Sequence, residues 1–193
     1  MENFVDIFED IVTNVRLKYD DDAVEPYYMY GHPLEIFNIL SEKSKSETYK
    51  YSKYPLIALF QDFEEKNDKS SRVVEKITIA IMTETDPNFI APSRYDSTFK
   101  PVLQPIYELL KTEIENNKFV TNDDMYSHTK IDRLYWGKED TFGNSAGIGN
   151  DKLDAIVITG LTLGINECNR LSDYIVTEAS SFITTEDGKF LIT

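Results

Sequence analysis

Residues 77–83 read ITIAIMT. Ile77, Ile79 and Ile81 alternate with Thr78, Ala80 and Met82, the period of two expected where one face of a sheet is buried more deeply than the other. Upstream, PLIALF at 55–60 is short, apolar and bounded by turn formers or charges, which marks a second strand. Between them lies the polar stretch EEKNDKSS at 64–71. A parallel connection needs a crossover of about a dozen residues or more, so an antiparallel hairpin is the simplest reading of the middle of the chain.

Working outward, Phe4, Ile7, Phe8, Ile11 and Val15 fall on one stripe of a helix over about residues 2–18. The acidic run Asp20–Asp22 ends it, and Tyr27–Tyr30 reads as a short strand. Gly31, His32 and Pro33 punctuate the change, with Pro33 suited to the first turn of a helix through Leu34, Ile36, Phe37 and Leu40. Residues 41–53 form a polar loop.

On the other side, Asp86, Pro87, Pro92 and Ser93 mark a loop. Phe99, Val102, Leu103, Ile106, Leu110 and Ile114 then recur at helical spacing, while Pro101 and Pro105 each remove a backbone donor. A helix over 101–116, bent near Pro105, satisfies both facts. Ile131–Trp136 reads as a strand and 137–152, with Gly143, Gly147 and Gly149, as a mobile loop. Leu153, Ala155, Val157, Thr159, Leu161, Leu163 and Ile165 predict one face of a long strand, with Gly160 marking a bulge. Near the end, FITTEDGKFLIT at 182–193 carries Asp187 and Gly188 between two β-rich runs, a hairpin signal. The predicted class is α+β: an antiparallel sheet flanked by helices in a domain over 1–165, with a C-terminal β-hairpin extension in 166–193.

The chain has 193 residues, enough for one domain with its own core. Asp plus Glu number 34 against 20 Lys plus Arg, a net charge of −14. General affinity for nucleic acid is therefore excluded, since that affinity comes from cations displacing the counterions of phosphates. Lys43, Lys45, Lys50 and Lys53 gather locally, but Glu42 and Glu47 dilute them, and a solvated loop explains them better than a phosphate site. The single cysteine, Cys168, excludes a disulfide within the chain. The start, MENFVDIFEDIV, has acids where a signal peptide needs bases, and no apolar run approaches the roughly 20 residues that span a bilayer.

Chemistry is sparse. GNSAGIGN at Gly143–Asn150 lacks the Gly-Lys-Ser/Thr that follows in a phosphate-binding loop. No local motif pairs Cys168 with a histidine as nucleophile and base. Asp20, Asp21, Asp22, Asp123 and Asp124 lack the alternating ligands, turn glycine and distant Glu of a calcium loop. His32 reads as a cap on the turn beside Pro33, and His32 with His128 are too few for a histidine-rich metal site. Trp136 and Tyr27, Tyr28, Tyr30, Tyr49, Tyr51 and Tyr54 read as core and protein-interface residues. No catalytic, cofactor-binding or metal-ligating residue is assigned, and no cofactor is expected.

The order of these elements resembles the tail terminator, or tail-completion, proteins of long-tailed bacteriophages over roughly residues 1–165. The likeness rests on the PLIALF strand, the Ile77–Thr83 strand, Arg94 ahead of the PVLQPIYELL helix, and the closing LDAIVITGLTLGI strand. That resemblance implies a non-enzymatic virion subunit forming a ring, commonly a hexamer, at the head-proximal end of the tail tube. The ring would end tube polymerisation and join the tail tube protein to head-tail connector proteins, with DNA passing its lumen unbound. The alternatives are another neck or head-completion protein, or a nucleotide- or DNA-processing enzyme.

Overall fold

The computed structural model describes residues 3–19, 25–45, 53–68, 72–121, 127–136 and 151–166. Helix α1 (Phe4–Lys18) begins where the Asn3 side chain accepts a hydrogen bond from the Val5 N–H at 3.3 Å. Strand β1 (Tyr27–Gly31) leads to α2 (Pro33–Ser44), and β2 (Leu56–Phe60) and β3 (Glu64–Asn67) precede the long β4 (Arg72–Glu84). A short α3 (Ala91–Arg94) runs into a π-helical stretch (Tyr95–Leu103) and then α4 (Gln104–Asn116). Strands β5 (Val120–Thr121), β6 (Thr129–Arg133) and β7 (Leu153–Ile165) complete the described elements.

The sheet is built on β4 and β7, each 13 residues long and paired antiparallel. Outside β4 lie β2 along one half and β3 along the other; outside β7 lie β6 and β5. β1 forms the far edge against β2, and among the described residues that pair alone is parallel. The anticipated β2–β4 hairpin is present, pairing Leu56 with Met82 through Phe60 with Thr78. Part of its predicted polar loop is itself strand β3, whose side chains are tied to β4 by Lys66–Glu75, Lys76–Glu64 and Arg72–Glu65 ion pairs.

Each sheet face has a core. On one, α1, the π-helical stretch and α4 pack Phe4, Phe8, Ile11, Leu103, Ile106 and Leu110 over Ile57, Leu59, Ile79 and Ile81. On the other, Ile36, Phe37 and Leu40 of α2 cover Leu56, Ala58, Ala80 and Met82. The stripe and alternation read from sequence account for both assignments.

The reading of β7 as one continuous face is corrected. Leu153, Ala155 and Val157 point to the α2 side, whereas Leu161, Leu163 and Ile165 point to the α1/α4 side. Between them, Thr159 and Gly160 oppose the single residue Thr78, a bulge at which Gly160 takes φ +66°. β4 carries the reciprocal bulge: Glu75 and Lys76 oppose Thr162, with Lys76 at φ 60°. One extra residue in each strand restores the register, so Val74 and Ile77 share a face despite their odd spacing. Gly160 thus fits the bulge anticipated there. Gly164 answers another need, since a Cβ there would lie 2.1 Å from the Thr121 hydroxyl.

Smaller boundaries also move. Helical structure starts at Ala91, not Pro101; a π-helical stretch accommodates Pro101, and Pro105 sits in the first turn of α4, where its missing N–H costs little. α2 continues through Ser44, whose hydroxyl donates to Leu40 O at 2.8 Å, so residues 41–44 are helix rather than loop. β6 ends at Arg133, and beyond it the Trp136 N–H still donates to Leu153 O of β7 at 2.9 Å. The predicted 182–193 hairpin lies outside the described residues, as does nearly all of the 137–152 loop.

Candidate functional site

The start of β7 gathers the most unusual chemistry among the described residues. Arg94 and Asp154 are both 0% exposed and form an ion pair at 3.0 Å. The guanidinium is nearly saturated: Nε donates to Phe89 O at 2.8 Å, Nη1 to the Thr85 hydroxyl at 2.9 Å, and Nη2 to Asp86 O at 3.0 Å. Its face lies 3.5 Å from the centroid of the Tyr135 ring. Asp154 accepts a second bond from Thr98, at 2.9 Å. The Tyr135 hydroxyl donates to Pro87 O and Phe89 O at 3.2 and 3.1 Å.

The consequence is a clamped loop. The carbonyls of Asp86, Pro87 and Phe89 are all held by Arg94 or Tyr135, and Asp86 caps its own turn by accepting from the Asn88 N–H at 2.8 Å. This loop and the first helical turns hold Ile90 at 68% exposure and Tyr95 at 58%. Both hydrophobic side chains are thus carried on a braced backbone.

A second cluster lies close by in the fold. Lys53, 2% exposed, donates to Asp151 at 2.5 Å and to the Ser44 hydroxyl at 2.7 Å, and lies 3.6 Å from Glu84. Asp151 also accepts from the Tyr54 hydroxyl at 3.1 Å. Burial, then the Asp151 charge, push the Tyr54 phenol far above its ordinary range. Because the ammonium faces carboxylates and Ser44 spends its proton on Leu40 O, this is no activated serine; the cluster ties the end of α2 to the starts of β2 and β7.

The residues weighed from sequence are dispersed. His32 does cap α2, accepting from the Leu34 N–H at 3.2 Å. His128 lies 2.8 Å from the Tyr107 hydroxyl, and burial, reinforced by Lys111, lowers its pKa. The four lysines do not form one solvated loop: Lys53 is buried in an ion pair, Lys43 sits 3.7 Å over the Tyr27 ring, Lys45 follows α2, and Lys50 is outside the described residues. Trp136 packs beside Phe37 and Phe60, as a core residue should. Cys168, the acids Asp20–Asp22, Asp123 and Asp124, the Gly143–Asn150 stretch, and Tyr49 and Tyr51 are outside the described residues. Among the described residues no group of three or more His, Cys, Asp or Glu side chains could hold a metal ion, and no helix is long and apolar enough to cross a membrane.

Nothing in the sequence around Arg94 announces its burial. Its partner is 60 positions away, and the two meet only when β7 is laid against β4. No protein-family model, curated protein or solved structure matches the chain.

Proposed function

We propose that this chain is a structural assembly subunit: a ring protein at the head-proximal end of a long phage tail tube, which ends tube polymerisation and meets the head connector. The observation that carries an assembly role is the clamped 85–95 segment. There a fully buried Arg94–Asp154 pair fixes a segment that carries two exposed large hydrophobic side chains, Ile90 and Tyr95. Buried charge is a costly way to brace a loop, and a rigid aromatic and aliphatic pair suits a protein partner.

The specific assembly rests on the order of elements from α1 to β7 and on the resemblance it carries. In both ion clusters described above the cationic donors are directed at protein acceptors. A net charge of −14 suits a lumen that lets DNA slide past, because phosphate meets repulsion rather than a grip. Closed rotational symmetry limits the copy number of such a subunit, as an end cap requires.

The deciding observation is the copy number and position of the protein in intact particles, by imaging of the head-tail junction. A ring of several copies at the tube end supports the proposal. A single copy, or a location in the head, refutes it. Hydrolysis of a nucleotide or nucleic acid by the purified protein would favour an enzyme instead.

A further inference from the structure

Three neighbouring strands bring an amine and two carboxylates to one end of the sheet. β2 starts, β4 ends and β7 starts there, since β2 and β7 both run antiparallel to β4. Lys53 stands just ahead of β2, Glu84 is the last residue of β4, and Asp151 stands just ahead of β7. The Lys53 Nζ lies 2.5 Å from Asp151 Oδ2 and 3.6 Å from Glu84 Oε1. The same Oδ2 accepts from the Tyr54 hydroxyl at 3.1 Å, and Nζ sits 5.1 Å from the centroid of the Tyr54 ring. A buried lysine needs one partner for its charge. Lys53 has a carboxylate in contact, a second within reach, and a phenol bonded to the contacting oxygen.

We propose that Lys53 and Asp151 condense to an intramolecular isopeptide bond, with Glu84 carrying a proton between them. The atoms balance without an oxidant or a co-reactant. One ammonium proton passes along the 2.5 Å contact to Oδ2, leaving a neutral amine and a neutral acid. The burial of Lys53, 2% exposed, favours that transfer, because loss of water penalises charges far more than neutral groups. The nitrogen lone pair then attacks Cγ, forming the C–N bond and moving the carbonyl electron pair onto Oδ1. Glu84 takes a second proton from the nitrogen and delivers it to Oδ2. As the carbonyl re-forms at Oδ1, the Cγ–Oδ2 bond breaks and Oδ2 leaves as water, assisted by the hydrogen bond from the Tyr54 hydroxyl. The product is a neutral amide, in which the two starting charges have cancelled.

Position drives the reaction. Well-oriented intramolecular reactants reach effective molarities of about 10⁵ M or more, which offsets the mass action of water against condensation. The Ser44 hydroxyl, 2.7 Å from Nζ, holds the amine from another side. Asp151 keeps 20% of its surface and Glu84 57%, so the released water has a way out and the shuttle exchanges protons with solvent. Before condensation the group is the ion pair described above, and open and closed chains differ by one water. Closure joins the start of β2 to the start of β7 across β4, a covalent loop through most of the sheet that restricts the unfolded chain. The inference does not depend on the ring reading.

The test is the intact mass of the full chain, followed for days at neutral pH after purification, with proteolytic mapping of the product. The expected result is a mass lower by one water and a branched peptide that joins Lys53 to Asp151. Lys53→Arg should keep its full mass. Glu84→Gln, a change on an exposed side chain, should slow the loss of water by at least about tenfold. A wild-type chain that retains its full sequence mass overturns the proposal, whatever the variants do. Loss of water that persists in Lys53→Arg also overturns it, by assigning the dehydration to succinimide formation at an aspartate. Equal rates in the wild type and Glu84→Gln overturn the assignment of Glu84 as the shuttle.

Discussion

Two basic residues anchor the start of β7, and they are buried to different ends. Arg94 meets Asp154 with both side chains 0% exposed, while Lys53, itself 2% exposed, meets an Asp151 that keeps 20% of its surface. Arg94 has a planar fork whose N–H groups find fixed acceptors on a loop; Lys53 is a point charge shared among Asp151, Ser44 and, at longer range, Glu84. The first arrangement holds a surface in shape and the second ties elements together. Water can reach the carboxylate of the second but neither partner of the first, so the two should respond unequally to loss of an anion.

The largest effect is expected at Asp154. Asp154→Ala leaves Arg94 charged in the interior and should cost about 3–5 kcal/mol in urea unfolding. Replacing both partners, Arg94→Met with Asp154→Leu, should recover most of that loss while loosening the 85–90 loop in hydrogen exchange. A single Asp154→Ala variant of unchanged stability would remove the distinction between the two pairs.

Asp151→Ala should be milder, about 1–3 kcal/mol, because Ser44 and Glu84 remain near the ammonium and solvent reaches the gap. If it proves as damaging as Asp154→Ala, the residual exposure of Asp151 confers no relief. Thr98→Val sharpens the contrast within the first cluster, removing one of the bonds to Asp154 for about 1 kcal/mol while Arg94 stays paired.

A pH effect belongs to a third, half-buried site. His128 has its pKa lowered from 6.5, by burial first and Lys111 second. Below that value the unfolded chain takes up a proton that the folded chain refuses, so stability should fall as pH drops through about 6.5 and level off below the folded value. His128→Gln should remove this component from urea midpoints measured between about pH 7.5 and 5.5; an unchanged profile would contradict it. A change of opposite sign belongs to Tyr28: Tyr28→Phe discards a hydroxyl that is buried without a partner and should raise stability by about 1 kcal/mol in urea unfolding.

Much of the architecture was legible in the chain because it depends on local periodicity. The stripe from Phe4 to Val15, the alternation of Ile77, Ile79 and Ile81, Pro33 opening a helix behind a His32 cap, and Gly160 at a bulge each express a rule acting over a few residues. The α+β class with a helix-flanked, mainly antiparallel sheet followed from those rules. What they could not supply was anything set by residues far apart in sequence. Alternation along β7 looked unbroken because Thr159 and Gly160 hide a change of parity that only the opposing Thr78 reveals. Lys53 looked solvated because Asp151 is 98 positions away, and Arg94 gave no sign of burial because Asp154 reaches it only after β7 pairs with β4. Periodicity is written into neighbouring residues, whereas the burial of a charge is decided by which distant carboxylate the finished sheet brings beside it.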